Sequence, residues 1–245
     1  LHFPVSSRMK IPNVTTLHGR LDIPDLIVLY KEFPGMPVVS ISDSQRRPLP
    51  WLNWRRTIHH GLPLDLYHFN NEPGDYLAFL GRISPEKGVD QAIEIARRTG
   101  MKLKIAAKVD NVDAPYYAER IEPLMDGPLI EFLGEIGERE KDRFLGNARA
   151  LLFPIDWPEP FGLVMVEAMA CGTPVVAYKR GAVPEVIDDG VTGFLCDEVD
   201  QAVDAVRRAK TLSRRQCRQT FEDRFSVTRM AMNYADLYTE MVKGS

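Results

Sequence analysis

The chain has 245 residues, 44% hydrophobic and 27% charged, with a formal net charge of −3. That suffices for one large core or two modest ones, and it lacks the basic excess that general nucleic-acid binding needs. Cys171, Cys196 and Cys217, odd in number and without a C-x-x-C pattern, indicate neither a disulfide framework nor a zinc site and make a reducing cytoplasm the natural home, while no apolar run approaches the roughly 20 residues of a membrane span.

Residues 1–72 carry many prolines and polar turns, and predict strands only at 13–17, 38–41 and 58–59. A stretch of about 70 such residues makes a poor independent core, and the first residue is Leu1 rather than methionine, so the chain reads as a fragment, a processed product or the ordered part of something longer. Residues 70–74 read as a linker. From 75 to about 221 short strands alternate with helices, the mark of a parallel sheet covered on both faces. A strand at 76–81 precedes Pro85 and Glu86, a proline and an acid at a helix start, and that helix carries Val89, Ala92, Ile93 and Ala96 before stopping at Gly100. Strands follow at 103–108, 129–133 (with Gly134 as its turn) and 150–153, with a helix at 138–148 between the last two. Further strands at 175–178 and 193–196 and a helix at 199–210 complete the alternation. The last helix, 227–242, has Met230, Tyr234, Leu237 and Met241 on one stripe.

The stretch PEPFGLVMVEAMACGTPVV, residues 158–176, carries the chemistry. Gly162 opens a helix that is apolar on nearly every face, as a buried helix is, and Gly172 and Pro174 end it. A buried helix entered through a glycine turn presents unpaired N–H groups and a partial positive charge, which suits a phosphate. Glu159 stands just outside this start and Glu167 inside the helix, about 7 Å along the axis from Gly162 at roughly 1.5 Å rise per residue. Two carboxylates flanking an anion site match a ligand with hydroxyls at each end and a diphosphate between, which is the anatomy of a nucleotide sugar. After the first strand of the alternation, Arg82 and Lys87 supply cations where ligands of open α/β sheets bind. Gly81 permits close backbone approach. The sequence has no D-x-D motif and no clustered His or Asp with magnesium or manganese spacing, so no metal is expected.

Glu159 and Glu167 form an E-x7-E pair that resembles the signature of retaining glycosyltransferases of family 4, which have the GT-B fold. YLAFLGRISPEKG (76–88) resembles the opening of that family's C-terminal domain, and GAVPEVIDDGVTGFL (181–195) its closing signature. TTLHG (15–19), VSISDSQRR (39–47) and HHGLPLDLY (59–67) resemble late segments of its N-terminal domain, so the resemblance covers nearly the whole chain.

The resemblance implies an α/β fold with a Rossmann-like C-terminal domain at 73–221, an incomplete N-terminal, acceptor-side domain at 1–72, and a last helix at 222–245 crossing back to the latter. It implies a UDP-, GDP- or ADP-linked sugar as donor and a hydroxyl acceptor. Glu159 would hold hydroxyls of the donor sugar and Glu167 those of the ribose. The backbone N–H groups of Phe161, Gly162 and Leu163 would meet the phosphates, and Gly134 with Ile136 would lie near the base. His18 matches a histidine near the reacting carbon. His59, His60 and His68 are read as structural, and His59-His60 replaces a more usual Pro-Asn. The basic run Arg207, Arg208, Lys210, Arg214, Arg215 and Arg218 fits a solvated helix face, or a peripheral contact with anionic headgroups if the acceptor is lipid-linked. Competing readings are a non-catalytic nucleotide-sugar-binding fragment, a two-glutamate glycoside hydrolase, which has no need of Arg82 and Lys87, and a nucleotide-sugar epimerase. Donor, acceptor and oligomeric state lie beyond the sequence.

Overall fold

In the computed structural model, which describes residues 2–243, the chain forms two all-parallel sheets. The first has the order β1 (Thr15–Leu17), β2 (Val38–Ser40), β3 (Trp54–Thr57). Helices α1 (Phe3–Ser6), α2 (Pro24–Glu32) and α3 (Asp43–Arg46) accompany it. Sequence reasoning missed α2, although Pro24 and Asp25 at its start and Lys31 at its end are good helix signals; Tyr30 alone is fully buried on it, so no apolar stripe marks it. The third strand falls at Trp54–Thr57 instead of 58–59, because β3 exposes Arg55 and buries its other residues only in part, which hides the alternation. Ile58 instead enters the core beneath the last helix.

The second sheet has the order β6-β5-β4-β7-β8-β9. Its strands are β4 (Tyr76–Arg82), β5 (Lys102–Lys108), β6 (Ile130–Gly134), β7 (Ala148–Phe153), β8 (Val175–Tyr178) and β9 (Gly193–Cys196). The helices in chain order are α4 (Val89–Thr99), a turn α5 (Ala114–Tyr116), α6 (Glu138–Gly146), α7 (Leu163–Ala170), α8 (Val183–Val186), α9 (Val199–Arg208), α10 (Arg214–Arg224) and α11 (Val227–Lys243). Strands covered on both faces read as unbroken apolar runs. Accordingly Tyr76, Leu77, Ala78 and Phe79 are all buried, Ala78 with Leu151 and Met165 on one face and Leu77 with Ile93, Ile105 and Val203 on the other. The chain moves outward from β4 in both directions, so a crevice opens at the carboxyl ends of β4 and β7, the switch point of such sheets.

Helix α11 lies on the first sheet. Leu237 is buried against Val39 and Ile58, Tyr234 Oη and Thr16 Oγ1 are hydrogen-bonded at 2.8 Å, and Arg56 pairs with Glu240. Burying one such leucine contributes about 2 kcal/mol.

Of the basic run, Arg207, Arg208, Lys210 and Arg215 are exposed as a solvated face requires, but Arg214 and Arg218 are not. Arg214 is buried and donates to the carbonyls of Asn70, Gly146 and Ala148 and to Thr173 Oγ1. Arg218 donates to the carbonyls of Leu64, Tyr67 and Ala170 and pairs with Glu222. Arg208 stacks on Phe194 and Arg207 pairs with Asp204. The Arg214 and Arg218 guanidiniums fasten α10 to the linker and the second sheet's domain. No helix among the described residues is long and apolar enough to cross a membrane.

Candidate active site

Two adjoining cavities of about 240 and 320 Å³ form one cleft at the carboxyl end of β4; Leu80, Gly81, Arg82 and Val164 line both. Glu159 lines the smaller cavity with Lys87, Gly162 and Leu163, and Glu167 the larger with Lys141, Glu135 and Ile136. The E-x7-E pair therefore reaches opposite ends of one space.

Between them α7 begins. Gly162 holds φ at +84°, where an added Cβ would stand 2.6 Å from Met165 Cε. Only glycine takes this turn without strain. No side chain caps the helix start, so its first N–H groups keep their donor capacity beside the cleft.

At the smaller end, Glu159 Oε2 accepts from Lys87 Nζ at 2.7 Å and from Trp157 Nε1 at 3.0 Å, with the Glu159 side chain only 12% exposed. No hydrogen bond falls on Oε1 among the described residues. The ammonium of Lys87 also lies 5.3 Å from the Trp157 ring, and the Arg20 guanidinium approaches that ring at 5.4 Å. The backbone of Glu159 is fixed in turn by Ala182 N–H, which donates to its carbonyl at 2.8 Å. Gly181, at φ +56°, would put a Cβ 2.3 Å from Glu159 N and O, so only glycine lets this loop close.

At the larger end, Glu167 has a side chain 13% exposed on an apolar helix, and burial pushes its carboxyl pKa up despite Lys141 Nζ at 3.5 Å from Oε1. Lys141 also pairs with Glu138 at 3.0 Å, and Tyr67 Oη donates to Glu138 Oε1 at 2.5 Å. Burial, with Glu138 beside it, drives the Tyr67 hydroxyl far above its ordinary pKa, so it stays a donor. Lys141 on α6 was not marked in the sequence, where only the two glutamates of the motif, Arg82 and Lys87 were singled out as charged groups of this site.

Arg82 stands at the rim, half exposed, with Asp110 at 3.4 Å and Glu86 at 3.7 Å. Gly134 ends β6 at φ +70° and lines neither cavity, whereas Ile136 does. Phe161 is buried, its ring against His59, His60 and Phe225. His18 is exposed and stacks on His60 with centroids 5.2 Å apart, and His60 meets Phe161 edge-on at 5.0 Å. Burial, then the neighbouring His18 and His59, pushes the His60 pKa down to about 4, so the imidazole is neutral at pH 7. His59 and His60 thus join the first sheet to the cleft's helix start, a place their sequence context did not mark. Trp157, two residues from Glu159, and Arg20, two beyond His18, were also missed; proximity to the motif residues was the available signal.

Comparison with known proteins places this geometry. An uncharacterized glycosyltransferase of Methanocaldococcus jannaschii is 25% identical over 97% of this chain and 71% of its own length. The D-inositol 3-phosphate glycosyltransferase of Mycolicibacterium smegmatis is 29% identical over 74% of this chain and 43% of its own length, so the chain spans less than half of that relative. The solved structure of Anabaena HepE in complex with UDP and glucose superposes with a TM-score of 0.80 at 21% identity, over 94% of this chain and 72% of that one. The two parallel sheets match those of GT-B glycosyltransferases. The family model for glycosyl transferases group 1 matches residues 68–223, which includes β4–β9 and the whole cleft, and the chain belongs to that family.

Proposed function

We propose that the chain transfers a sugar from a nucleotide-sugar donor to an acceptor hydroxyl, with retention of configuration and without a metal. The observation that carries this reading is the single cleft with a lysine-paired carboxylate at each end and an uncapped helix start between. Sugar and ribose hydroxyls are donors that need acceptors in a dry site, and the diphosphate between them needs donors and positive charge. Glu159 Oε1 accepts from the donor sugar, and Glu167 accepts from the ribose. HepE, which shares the fold, has been solved with UDP and with UDP-glucose, and this supports a uridine nucleotide as the first donor to test.

In this mechanism the bond from the anomeric carbon to the β-phosphate oxygen breaks, the acceptor oxygen bonds that carbon on the face the phosphate leaves, and the acceptor's hydroxyl proton passes to the departing phosphate oxygen while negative charge grows on the diphosphate. Lys87 has three N–H donors; one serves Glu159 and the others are available to phosphate. Half-exposed Arg82 exchanges its loosely held carboxylate partners, at 3.4 and 3.7 Å, for the diphosphate. With the α7 start these groups supply electrostatic stabilisation in place of a metal.

Calorimetry with UDP-glucose, GDP-mannose and ADP-glucose in EDTA tests the reading. Submillimolar binding of one donor, weakened about tenfold or more by Arg82→Ala or Lys87→Ala, supports it. Binding that appears only with divalent metal removes the metal-free claim, and an inverted anomeric proton coupling in the product removes retention.

A further inference from the structure

Glu185 on α8 makes contacts that neither the donor site nor the cores account for. Its Oε2 accepts from the Asp43 N–H and its Oε1 from the Ser44 N–H, each at 2.7 Å, so one carboxylate of the second sheet's loop closes on the first turn of α3. His59 Nε2 lies 3.5 Å from Oε2 on the same carboxylate. The side chain is 21% exposed, and Arg224 secures the loop from below by donating to the Glu185 carbonyl at 2.6 Å and to both Asp188 oxygens.

One end of this contact leads to Glu159 in the cleft, the other to His18, which the family resemblance sets near the reacting carbon. Three residues upstream of Glu185, the Ala182 N–H holds the Glu159 carbonyl at 2.8 Å. One residue beyond Ser44, the Gln45 side-chain amide donates to the carbonyls of Leu17 and Gly19 at 2.9 Å each, gripping the backbone on either side of His18. The Gln45 carbonyl oxygen is itself fixed by the Ile41 N–H at 3.0 Å. Hydrogen bonds joined by short stretches of backbone therefore lead from Glu159 through α8, Glu185 and α3 to the residues on either side of His18.

We propose that Glu185 is a positioning residue, the lock that sets His18 on the first sheet against Glu159 on the second. It rests on the donor-site reading above for its catalytic consequence, and on geometry alone for the lock. Charge-assisted bonds to two backbone donors at once fix distance and angle together, which one exposed ion pair does not.

The test places spin labels on α2 and α4, at Lys31→Cys and Glu94→Cys, both exposed, while the native cysteines stay buried. The unmodified lock gives one narrow label distance. Glu185→Ala broadens it and lowers turnover of the tightest-binding of UDP-glucose, GDP-mannose and ADP-glucose at least tenfold in kcat, with KM for the donor and affinity for its nucleoside diphosphate within about twofold. Glu185→Gln, which retains one acceptor oxygen, falls between. Asp43→Pro cuts the lock from the other side without touching the loop. It removes one N–H at the first helical position, where proline is favoured, behind Ser42 in extended conformation. Asp43→Ala keeps that N–H and keeps the narrow distance.

A narrow distance in both Glu185→Ala and Asp43→Pro overturns the lock. A broadened distance with unchanged turnover overturns the positioning role, as does a fall in turnover without broadening. Failure of the unmodified chain to bind any of the three donors overturns the donor-site reading, and the positioning role with it, while the label distances still decide the lock.

Discussion

The two ends of the cleft solve the same problem differently. Each places a glutamate near a lysine, but Glu159 meets Lys87 at 2.7 Å with the Trp157 indole as second donor on the same oxygen, whereas Glu167 has Lys141 at 3.5 Å and a pKa raised by burial. Glu159 is a carboxylate with one oxygen fully engaged and the other aimed by that engagement. Glu167 is under-compensated, and its lysine is shared with Glu138. A buried acid short of donors gains most from a ligand that brings them, as a ribose with vicinal hydroxyls does. On the proposed reading the comparison separates roles: orientation of the reacting sugar at one end, affinity for the nucleotide at the other.

The largest expected effect breaks the orienting end. Glu159→Ala lowers donor turnover by two to three orders of magnitude, about 3–4 kcal/mol in the barrier, while nucleoside diphosphate affinity stays within about threefold; equal losses in both would erase the distinction between the ends. Next comes the backbone that holds Glu159. Gly181→Ala forces a Cβ into the Glu159 backbone from a left-handed conformation, costing about 2–3 kcal/mol of stability in urea unfolding. It also lowers turnover without weakening nucleotide binding.

The affinity end gives a smaller and opposite pattern. Glu167→Gln weakens nucleotide binding by about tenfold to thirtyfold, about 1.5–2 kcal/mol. It does not lower stability at pH 7. The sign follows from linkage: a carboxyl whose folded pKa is raised favours the fold while protonated, and that advantage is lost as pH rises from its unfolded value through the raised one. The amide has no such loss. Calorimetry of the unmodified chain shows nucleotide affinity falling as pH drops through the raised Glu167 pKa, and Lys141→Met moves that acid limb to higher pH. A limb that does not move assigns it to another group.

These contrasts also explain what was readable in the sequence. The strands of the second sheet are covered on both faces, so YLAFL, ALLF and VVAY stood out as apolar runs, and Gly162 announced the helix start that lies between the two glutamates. The first sheet left weaker traces: WRRT in β3 mixes half-buried and exposed side chains, and α2 buries one tyrosine fully. Partners fared worse than motif residues. Lys141 lies in EREKDRF, which reads as a solvated polar face, and only the packing of α6 beside α7 turns that lysine toward Glu167. Arg214 and Arg218 looked like surface charge for the same reason, since nothing local says that carbonyls of distant strands and loops will surround a guanidinium.

The smallest effect tests how firmly the first sheet is joined to the orienting end. His60 sits between His18 and Phe161, and burial depresses its pKa from 6.5 to about 4. The unfolded chain therefore takes up a proton first as pH falls. The stabilising contribution is whole above pH 6.5 and is lost on the way down to about 4. The full shift corresponds to about 3 kcal/mol, and screening of a partly exposed ring reduces this to about 1 kcal/mol. His60→Phe keeps an aromatic ring between His18 and Phe161 but cannot take a proton. Urea unfolding at pH 7, 5.5 and 4.5 then shows a loss of stability on acidification about 1 kcal/mol smaller in the variant than in the parent chain. The difference between the two chains removes the carboxylates, Glu185 among them, that titrate in both. An equal loss in the two chains means that His60 is solvated well enough to protonate in place, and that the histidine stack does not seal the sheet junction against water.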